Sequence, residues 1–357
     1  MNFQHYQRQF AQKAAKEGFN QLEIRQCLNY AEQLASKNLP IIYDSDHFSL
    51  LVGYQERYIR RAIVHTPSFY RSFQVAKRNG SNRRIDEPLP SLKEIQHWIL
   101  HNILQKLPVH SHAKAYKPSV RLKEHLRFHI NQPMIMNVDI ANFFPSIKEP
   151  SVESIFRNAG YSRQLANLFG KLCTLNGKLP QGAPSSPYLS NLFFFHLDEA
   201  IAQYCKTNGI RYTRYADDLT FSGQFTPSKL LLFLKPLLRE SGMQLHAEKT
   251  KVMRANQQQI VTGMVVNKKM QMPFQQRNAL RQQMYMITKY GLAAHLQHQQ
   301  IEDEHYLKRL KGKVQFILQL NPSDKEFKRY AMLLSQLEEN GPLAEHVKST
   351  VESFIIT

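Results

Sequence analysis

The apolar positions along the chain fall into two rhythms, one helical and one alternating or continuous over strand length. Up to about Asn38 they recur at helical spacing, with a break near Gly18 and a stop before Pro40. A second helix is expected from Ser91, where Ser91-Leu92-Lys93-Glu94 has the form of a capping box. Ile95, Trp98, Ile99, Ile103 and Leu104 then trace one apolar face, on which Trp98 reads as a core residue. Residues 134–140 form a short apolar run behind Pro133, of strand length. Residues 179–187 read as a loop opening a helix, with Ser186 as N-cap and Pro187 at the first helical position. The helix that follows, 188–206, is apolar around much of its circumference and is expected to be buried. Two β-rich runs, 210–215 and 219–222, flank Ala216-Asp217-Asp218, the pattern of a hairpin with an acidic turn. Residues 228–241 have helical spacing, with Pro236 placed to kink or split them. Helical patterns cover 274–298, 304–320 and the segment after Asp324. Helices interleaved with strands and a hairpin indicate an α+β fold.

Composition narrows what such a fold is for. The chain has 357 residues, 47 Lys+Arg against 28 Asp+Glu, and a formal charge of +19. Two stretches, 57–85 and 249–301, each hold eight basic residues and no acid. Single-sign surfaces of this kind repel themselves unless a polyanion or anionic surface neutralises them. Three widely spaced cysteines, Cys27, Cys173 and Cys205, exclude a disulfide framework or a cysteine-based zinc site. No apolar run approaches a membrane span, and Met1-Asn2-Phe3-Gln4-His5 begins no signal peptide, so a cytoplasmic protein without membrane contact is expected.

The candidate chemistry lies in three carboxylates. Asp139 ends the apolar strand, and Asp217-Asp218 sit at the hairpin tip 78 residues later. Adjacent carboxylates among hydrophobic residues raise one another's pKa unless a cation neutralises them. Carboxylates converging from two strands make a hard oxygen site suited to Mg²⁺, which keeps several waters and binds substrate phosphates. Two such ions can activate an attacking hydroxyl and stabilise a leaving pyrophosphate oxygen. A polar hairpin tip alone would also place aspartates there.

The surrounding motifs favour the catalytic alternative. Tyr215-Ala216-Asp217-Asp218, after Arg214 and before Leu219-Thr220-Phe221-Ser222, resembles the catalytic hairpin of reverse transcriptases. Asn137-Val138-Asp139-Ile140-Ala141-Asn142-Phe143-Phe144-Pro145-Ser146-Ile147 resembles that family's first acidic motif. Leu179-Pro180-Gln181-Gly182-Ala183-Pro184-Ser185-Ser186-Pro187 resembles the loop and helix between them, and Leu245-His246-Ala247-Glu248-Lys249-Thr250 the later lysine motif. Val261-Thr262-Gly263 and Leu310-Lys311-Gly312-Lys313 are similar to segments of the bacterial retron subfamily. One departure is visible: where that subfamily has Asn-Ala-x-x-His, this chain has Lys123, Glu124 and Arg127 in those places, with His125 and His129 nearby.

The resemblance implies a right-hand polymerase with an antiparallel palm sheet and a helical thumb. It implies an N-terminal helical extension over 1–50, fingers with part of the palm over 51–133, a palm over 134–255 and a thumb over 256–357. Asp139 and Asp217 would hold two Mg²⁺ ions, with Asp218 completing or orienting the site, and Lys249 would protonate or neutralise the leaving pyrophosphate. Lys77 and Arg83, with Arg84 as the alternative to Arg83, would clamp the triphosphate of a deoxynucleotide. Phe144 would wall the sugar against a 2′-hydroxyl, whereas Phe143 reads as core. Gln181 would lie along the nucleotide or template base, and Tyr215 would support the primer end. Lys268, Lys269, Arg277 and Arg281 would hold the template–primer backbone. The pairs His110/His112, His125/His129 and His295/His298 read as surface or RNA-facing residues. The retron resemblance further implies a cognate structured non-coding RNA as template and primer, and a branched RNA-linked DNA product. An effector protein encoded nearby, a higher-order assembly and a role in anti-phage defence follow from the same resemblance.

Overall fold

A computed structural model describes residues 3–76, 80 and 82–340; Lys77 lies outside them. The chain divides into two compact units interleaved along the sequence. The first takes residues up to Val120, Val138–Leu219 and Phe225–Thr250, and the second Arg121–Asn137, Thr220–Gln224 and the chain from Lys251 onward.

The first unit begins with helices Phe3–Lys16 and Gln21–Ser36. Asn20 starts the second helix with a true capping box: its side chain accepts from the N–H groups of Leu22 and Glu23, and Glu23 accepts from the Asn20 N–H. Three otherwise unpaired helix-end donors are satisfied this way. Helices Ser45–Val52 and Glu56–Val64 follow, and β1 (Tyr70–Ala76) then pairs antiparallel with β2 (Asn82–Pro88).

The expected capping box at Ser91 does not form. The helix is Pro90–Asn102, with Leu89 as cap residue and Pro90 inside the first turn. Proline needs no N–H partner there, so the helix starts one residue early. The Ser91 hydroxyl bonds Tyr58 and the Glu94 carboxylate takes the Tyr54 hydroxyl, so tertiary partners claim both groups. Trp98 is half-buried rather than core; its ring meets the buried Phe48 edge-on at 5.6 Å.

The apolar helix expected over 188–206 is two helices, Ser186–Phe193 and Phe195–Thr207, with Ser185 rather than Ser186 as cap residue and no side-chain cap bond. No glycine or proline marks the break at Phe194, whose buried ring faces the Arg214 guanidinium at 4.4 Å. Pro236, by contrast, does not split its helix, which runs Pro227–Glu240. Leu230, Leu234 and Leu238 bury one stripe of it, while Leu232, whose carbonyl loses its partner, is 77% exposed where water can reach it.

The central sheet has the order β4 (Arg211–Tyr215), β5 (Asp218–Ser222), β3 (Met134–Ala141), β6 (Gln244–Leu245). The end of β3 pairs antiparallel with β6 at Ile140↔Leu245 and Ala141↔Gln244.

In the second unit, β7 (Lys251–Arg254) pairs antiparallel with Met134–Asn137 of β3, and β8 (Ile260–Val261) forms a hairpin with β9 (Met264–Val265). Leu126, Ile135, Val261, Val266 and Leu320 form one apolar cluster. Helices Phe274–Tyr290, Leu292–His298, Tyr306–Leu320 and Lys325–Asn340 form another around Leu280, Met284, Ile287, Leu310, Val314 and Phe327. Three of the histidines expected at the surface are buried here. His125 bonds the Thr262 hydroxyl at 3.0 Å, His129 the Ser222 hydroxyl at 2.8 Å, and His295 the Tyr306 hydroxyl at 2.8 Å. Each imidazole is held by a hydroxyl as a structural polar group.

Candidate active site

β3 buries Val138 and Ile140 on one face, which leaves Asp139 between them on the other, half-buried. Backbone bonds then gather the remaining motifs around it. The Ile140 N–H donates to the Asp217 carbonyl at 3.0 Å, and the His246 N–H donates to the Asp139 carbonyl at 2.8 Å. The first bond docks the acidic turn on the strand end, and the second docks the lysine motif. A short 3₁₀ turn, Ala247–Lys249, carries the Lys249 ammonium to 2.9 Å from Asp139 Oδ1. The tip of the hairpin is bent by Ala216, whose φ of 58° lies in the left-handed region. For a residue with a Cβ this costs roughly 1–2 kcal/mol, which the surrounding bonds offset.

Two of the three carboxylates are electrostatically strained. Burial and then the charge of Asp139 raise the Asp217 pKa. Burial, Asp217 and Asp139, in that order, push Asp218 up to about 7. Lys249 and, for Asp217, Arg83 pull the other way without cancelling the effect. Among the described residues no three His, Cys, Asp or Glu side chains form a ready-made metal cage. The donor chemistry nevertheless suits a hard divalent cation: oxygen ligands whose mutual repulsion a cation would relieve. Asp139 and Asp217 would be its holders.

Around this centre the loop after Leu179 is pinned to β2. The Asp86 N–H donates to the Gln181 carbonyl at 2.8 Å, and a Cβ on Gly182 would lie 2.8 Å from the Asp86 carbonyl oxygen. Gly182 also has φ 133°, so glycine is required here on two counts. On the same strand Arg84 pairs with Asp86 at 2.8 Å and donates to the Ser72 hydroxyl, while Arg83 is exposed and its charge reaches Asp217. The two arginines left as alternatives by the sequence are therefore differently placed.

Asn142, with φ 48°, turns the chain after β3 into a short helical turn, Phe143–Ser146. This sends Phe143 into the core and leaves Phe144 half-buried. The Phe144 ring lies 6.2 Å from that of Tyr116, a residue the sequence did not single out. Tyr116 has φ 59°, and its phenol is raised by burial, then by Asp217 and Tyr215, with Arg83 opposing. Nothing in Lys114-Ala115-Tyr116-Lys117 signals this. Its placement comes from pairing beside β4, where the Lys114 N–H donates to the Arg214 carbonyl at 2.8 Å and the Arg214 N–H to the His112 carbonyl at 2.9 Å. Tyr215 sits half-buried at the end of β4.

In the second unit Lys268 and Lys269 are exposed after β9. Arg277 and Arg281 are engaged within the protein. Arg277 pairs with Asp324 at 2.6 Å and lies over the Phe327 ring, and Arg281 binds Glu326 through two nitrogens at 2.7 Å. These pairs tie helix Phe274–Tyr290 to the start of helix Lys325–Asn340, so both arginines expected to hold template–primer backbone already have carboxylate partners inside the protein.

A family model for reverse transcriptase (RNA-dependent DNA polymerase) matches residues 75–301. The Retron Ec86 reverse transcriptase of Escherichia coli is 31% identical, over 78% of this chain and 85% of that one. This chain belongs to the bacterial retron-type reverse transcriptases. The reverse transcriptase is also 34% identical to the Retron Mx162 enzyme of Myxococcus xanthus, over 57% of its own length and 48% of its relative's. To the Retron Mx65 enzyme of the same organism it is 28% identical, over 85% and 74%. It is an RNA-directed DNA polymerase with the α+β right-hand polymerase fold, using an RNA template and nucleotide substrates. Among its described residues no helix is long and apolar enough to cross a membrane.

Proposed function

We propose that this reverse transcriptase copies a cognate structured non-coding RNA, acting as both template and primer, into a branched RNA-linked DNA. The single observation behind the catalytic assignment is the gathering of Asp139, Asp217, Asp218 and Lys249 at the end of β3. Two Mg²⁺ ions held by Asp139 and Asp217 would supply Lewis-acid stabilisation to the attacking hydroxyl and the leaving pyrophosphate. Asp218 orients or completes that ligand set. Lys249 balances Asp139 in the resting protein and, when the carboxylate is engaged elsewhere, offers its ammonium proton or charge to the pyrophosphate. Arg83 and Lys77 neutralise the triphosphate, Arg83 with a planar fork suited to phosphate oxygens. Phe144, with Tyr116 beside it, walls the sugar and disfavours a 2′-hydroxyl. Gln181 lies along the nucleotide or template base, and Tyr215 supports the primer end.

Lys268 and Lys269 hold the hybrid backbone, positioning it without reading sequence. In this proposal the RNA partner is dedicated, and the enzyme acts in the cytoplasm in an anti-phage system with a nearby effector protein and a higher-order assembly; the retron relatives support the reverse-transcriptase activity on which it rests. Expressing the locus and isolating nucleic acid tests the reading. A small branched DNA that survives RNase should appear with the native chain and vanish with Asp217→Asn/Asp218→Asn. Its persistence in that variant would overturn the catalytic assignment. Purified protein that binds primed RNA but never incorporates deoxynucleotides would point instead to an RNA-binding scaffold.

A further inference from the structure

Directly beneath the acidic turn lies a buried charge cluster. Arg214 and Asp198 are both fully buried. The Arg214 guanidinium binds Asp198 through two arms, Nε to Oδ1 at 2.9 Å and Nη2 to Oδ2 at 2.7 Å. The Tyr212 hydroxyl donates to the same Oδ1 at 2.7 Å, and the Phe194 ring stacks on the guanidinium at 4.4 Å. The remaining arm is aimed elsewhere: Nη1 donates to the carbonyl of Ala216 at 3.0 Å. Ala216 is the left-handed residue immediately before Asp217.

A buried ion pair is by itself weak evidence for stability, since an apolar trio of equal volume often folds as well or better. What an apolar trio cannot do is hold a carbonyl. β4 is fixed independently of this side chain, because the Arg214 backbone bonds His112 and Lys114 on its outer edge. Loss of the guanidinium would leave the strand in place and release the turn. We propose that Arg214, oriented by Asp198 and Tyr212, is a positioning residue that fixes the Ala216 carbonyl and thereby aims the Asp217 carboxylate at Asp139. The proposal rests on the catalytic reading of Asp217 and deepens it. The fork matters as well as the charge. A lysine would carry the same charge to Asp198 but could not serve both carboxylate oxygens and the Ala216 carbonyl from one rigid plane.

The test uses the full chain with a poly(rA)·oligo(dT) template–primer and dTTP, and Mn²⁺ binding followed by electron paramagnetic resonance without nucleotide. The apolar replacement Asp198→Leu/Tyr212→Phe/Arg214→Met should melt at or above the native temperature and bind the template–primer normally. Its kcat should fall about 100-fold, the size expected when a reacting group is misplaced by about an ångström. Its Mn²⁺ affinity should fall about tenfold or more, a loss that a purely structural role would not produce. A folded triple variant with native kcat and native Mn²⁺ affinity overturns the proposal. Should the triple variant not fold, Arg214→Lys decides: reduced kcat at an unchanged melting temperature supports positioning, and native kcat overturns it. If neither variant folds, the cluster is a folding element and the proposal fails. Asp217→Asn separates the two levels. Full activity in that variant sinks the catalytic reading itself, whereas an inactive Asp217→Asn beside an active triple variant sinks only the role of Arg214.

Discussion

Two groups of carboxylates, one in each unit, show how differently the same side chain can be set. Asp139, Asp217 and Asp218 have a single half-exposed lysine paired with one of them, and burial with the charge of their neighbours raises Asp217 and Asp218. Asp324 and Glu326 are met by the Arg277 and Arg281 guanidinium groups, and the Arg281 hydrogen bonds lower the Glu326 pKa despite its partial burial. The second group is closed, with its charge answered inside the protein. The first is left short of positive charge and is therefore suited to take a cation from outside. Three acids beside one lysine leave the first group net negative, whereas two arginines balance the two acids of the second; what distinguishes them is whether the protein supplies the counter-charge.

Replacing a member of the open group should have the largest effect. Asp217→Asn should lower polymerisation by about 10³-fold or more, the loss of several kcal/mol of transition-state stabilisation, while leaving the fold intact. Single-turnover primer extension beside a thermal melt measures both. Phe144→Ala should retain polymerisation but raise ribonucleotide incorporation relative to deoxynucleotide by about tenfold to 100-fold, read from competing nucleotides on one template.

The closed group should respond in stability instead. Arg277→Ala leaves the almost buried Asp324 unpaired and should cost about 3 kcal/mol. Arg281→Ala, at a pair about one-third exposed, should cost no more than about 1 kcal/mol. Polymerisation per folded molecule should survive both. A stable Arg281→Ala protein that has lost template affinity would break the comparison and return that arginine to nucleic-acid binding.

The finest test is pH. The folded Asp218 carboxyl keeps its proton up to about pH 7, whereas an unfolded aspartate releases it near about 3.9, so metal-free protein should lose stability as pH rises between them. Asp218→Asn should then stabilise the metal-free protein at pH 8, on the order of 1–3 kcal/mol, and make little difference near pH 4. Glu326 runs the other way. Its folded pKa is depressed, so its contribution is present above the unfolded value of about 4.3 and fades as pH falls through the lower folded one. Glu326→Gln should therefore destabilise at pH 7 and converge with the native chain in acid. Chemical melts of the four combinations check the sign, and parallel curves for the two substitutions would erase the distinction.

Much of this was legible along the chain, because the signals were local. The strand carrying Asp139, which runs on to Ala141 instead of ending there, the hairpin around Ala216-Asp217-Asp218, the break near Gly18 and the terminal helices each follow from periodicity or turn chemistry over a few residues. The candidate carboxylates could be named for the same reason. Other features depend on partners distant in sequence. The Ser91 hydroxyl went to Tyr58 once Pro90 had started the helix ahead of it, and the helix over 188–206 broke at Phe194 beside Arg214 with no local residue to announce the break. Arg277 and Arg281 read as holders of the template–primer backbone, and nothing along the chain told that Asp324 and Glu326, about 45 residues on, would pair with them. Tyr116 had no mark at all until pairing beside β4 brought it to Phe144. The sequence by itself determined which residues could bear the chemistry, since that depends on side-chain type and short-range spacing. Only the tertiary structure decided which charges are answered and which are left open, because electrostatic energy depends on distance through space and on burial, and neither is written in the order of the residues.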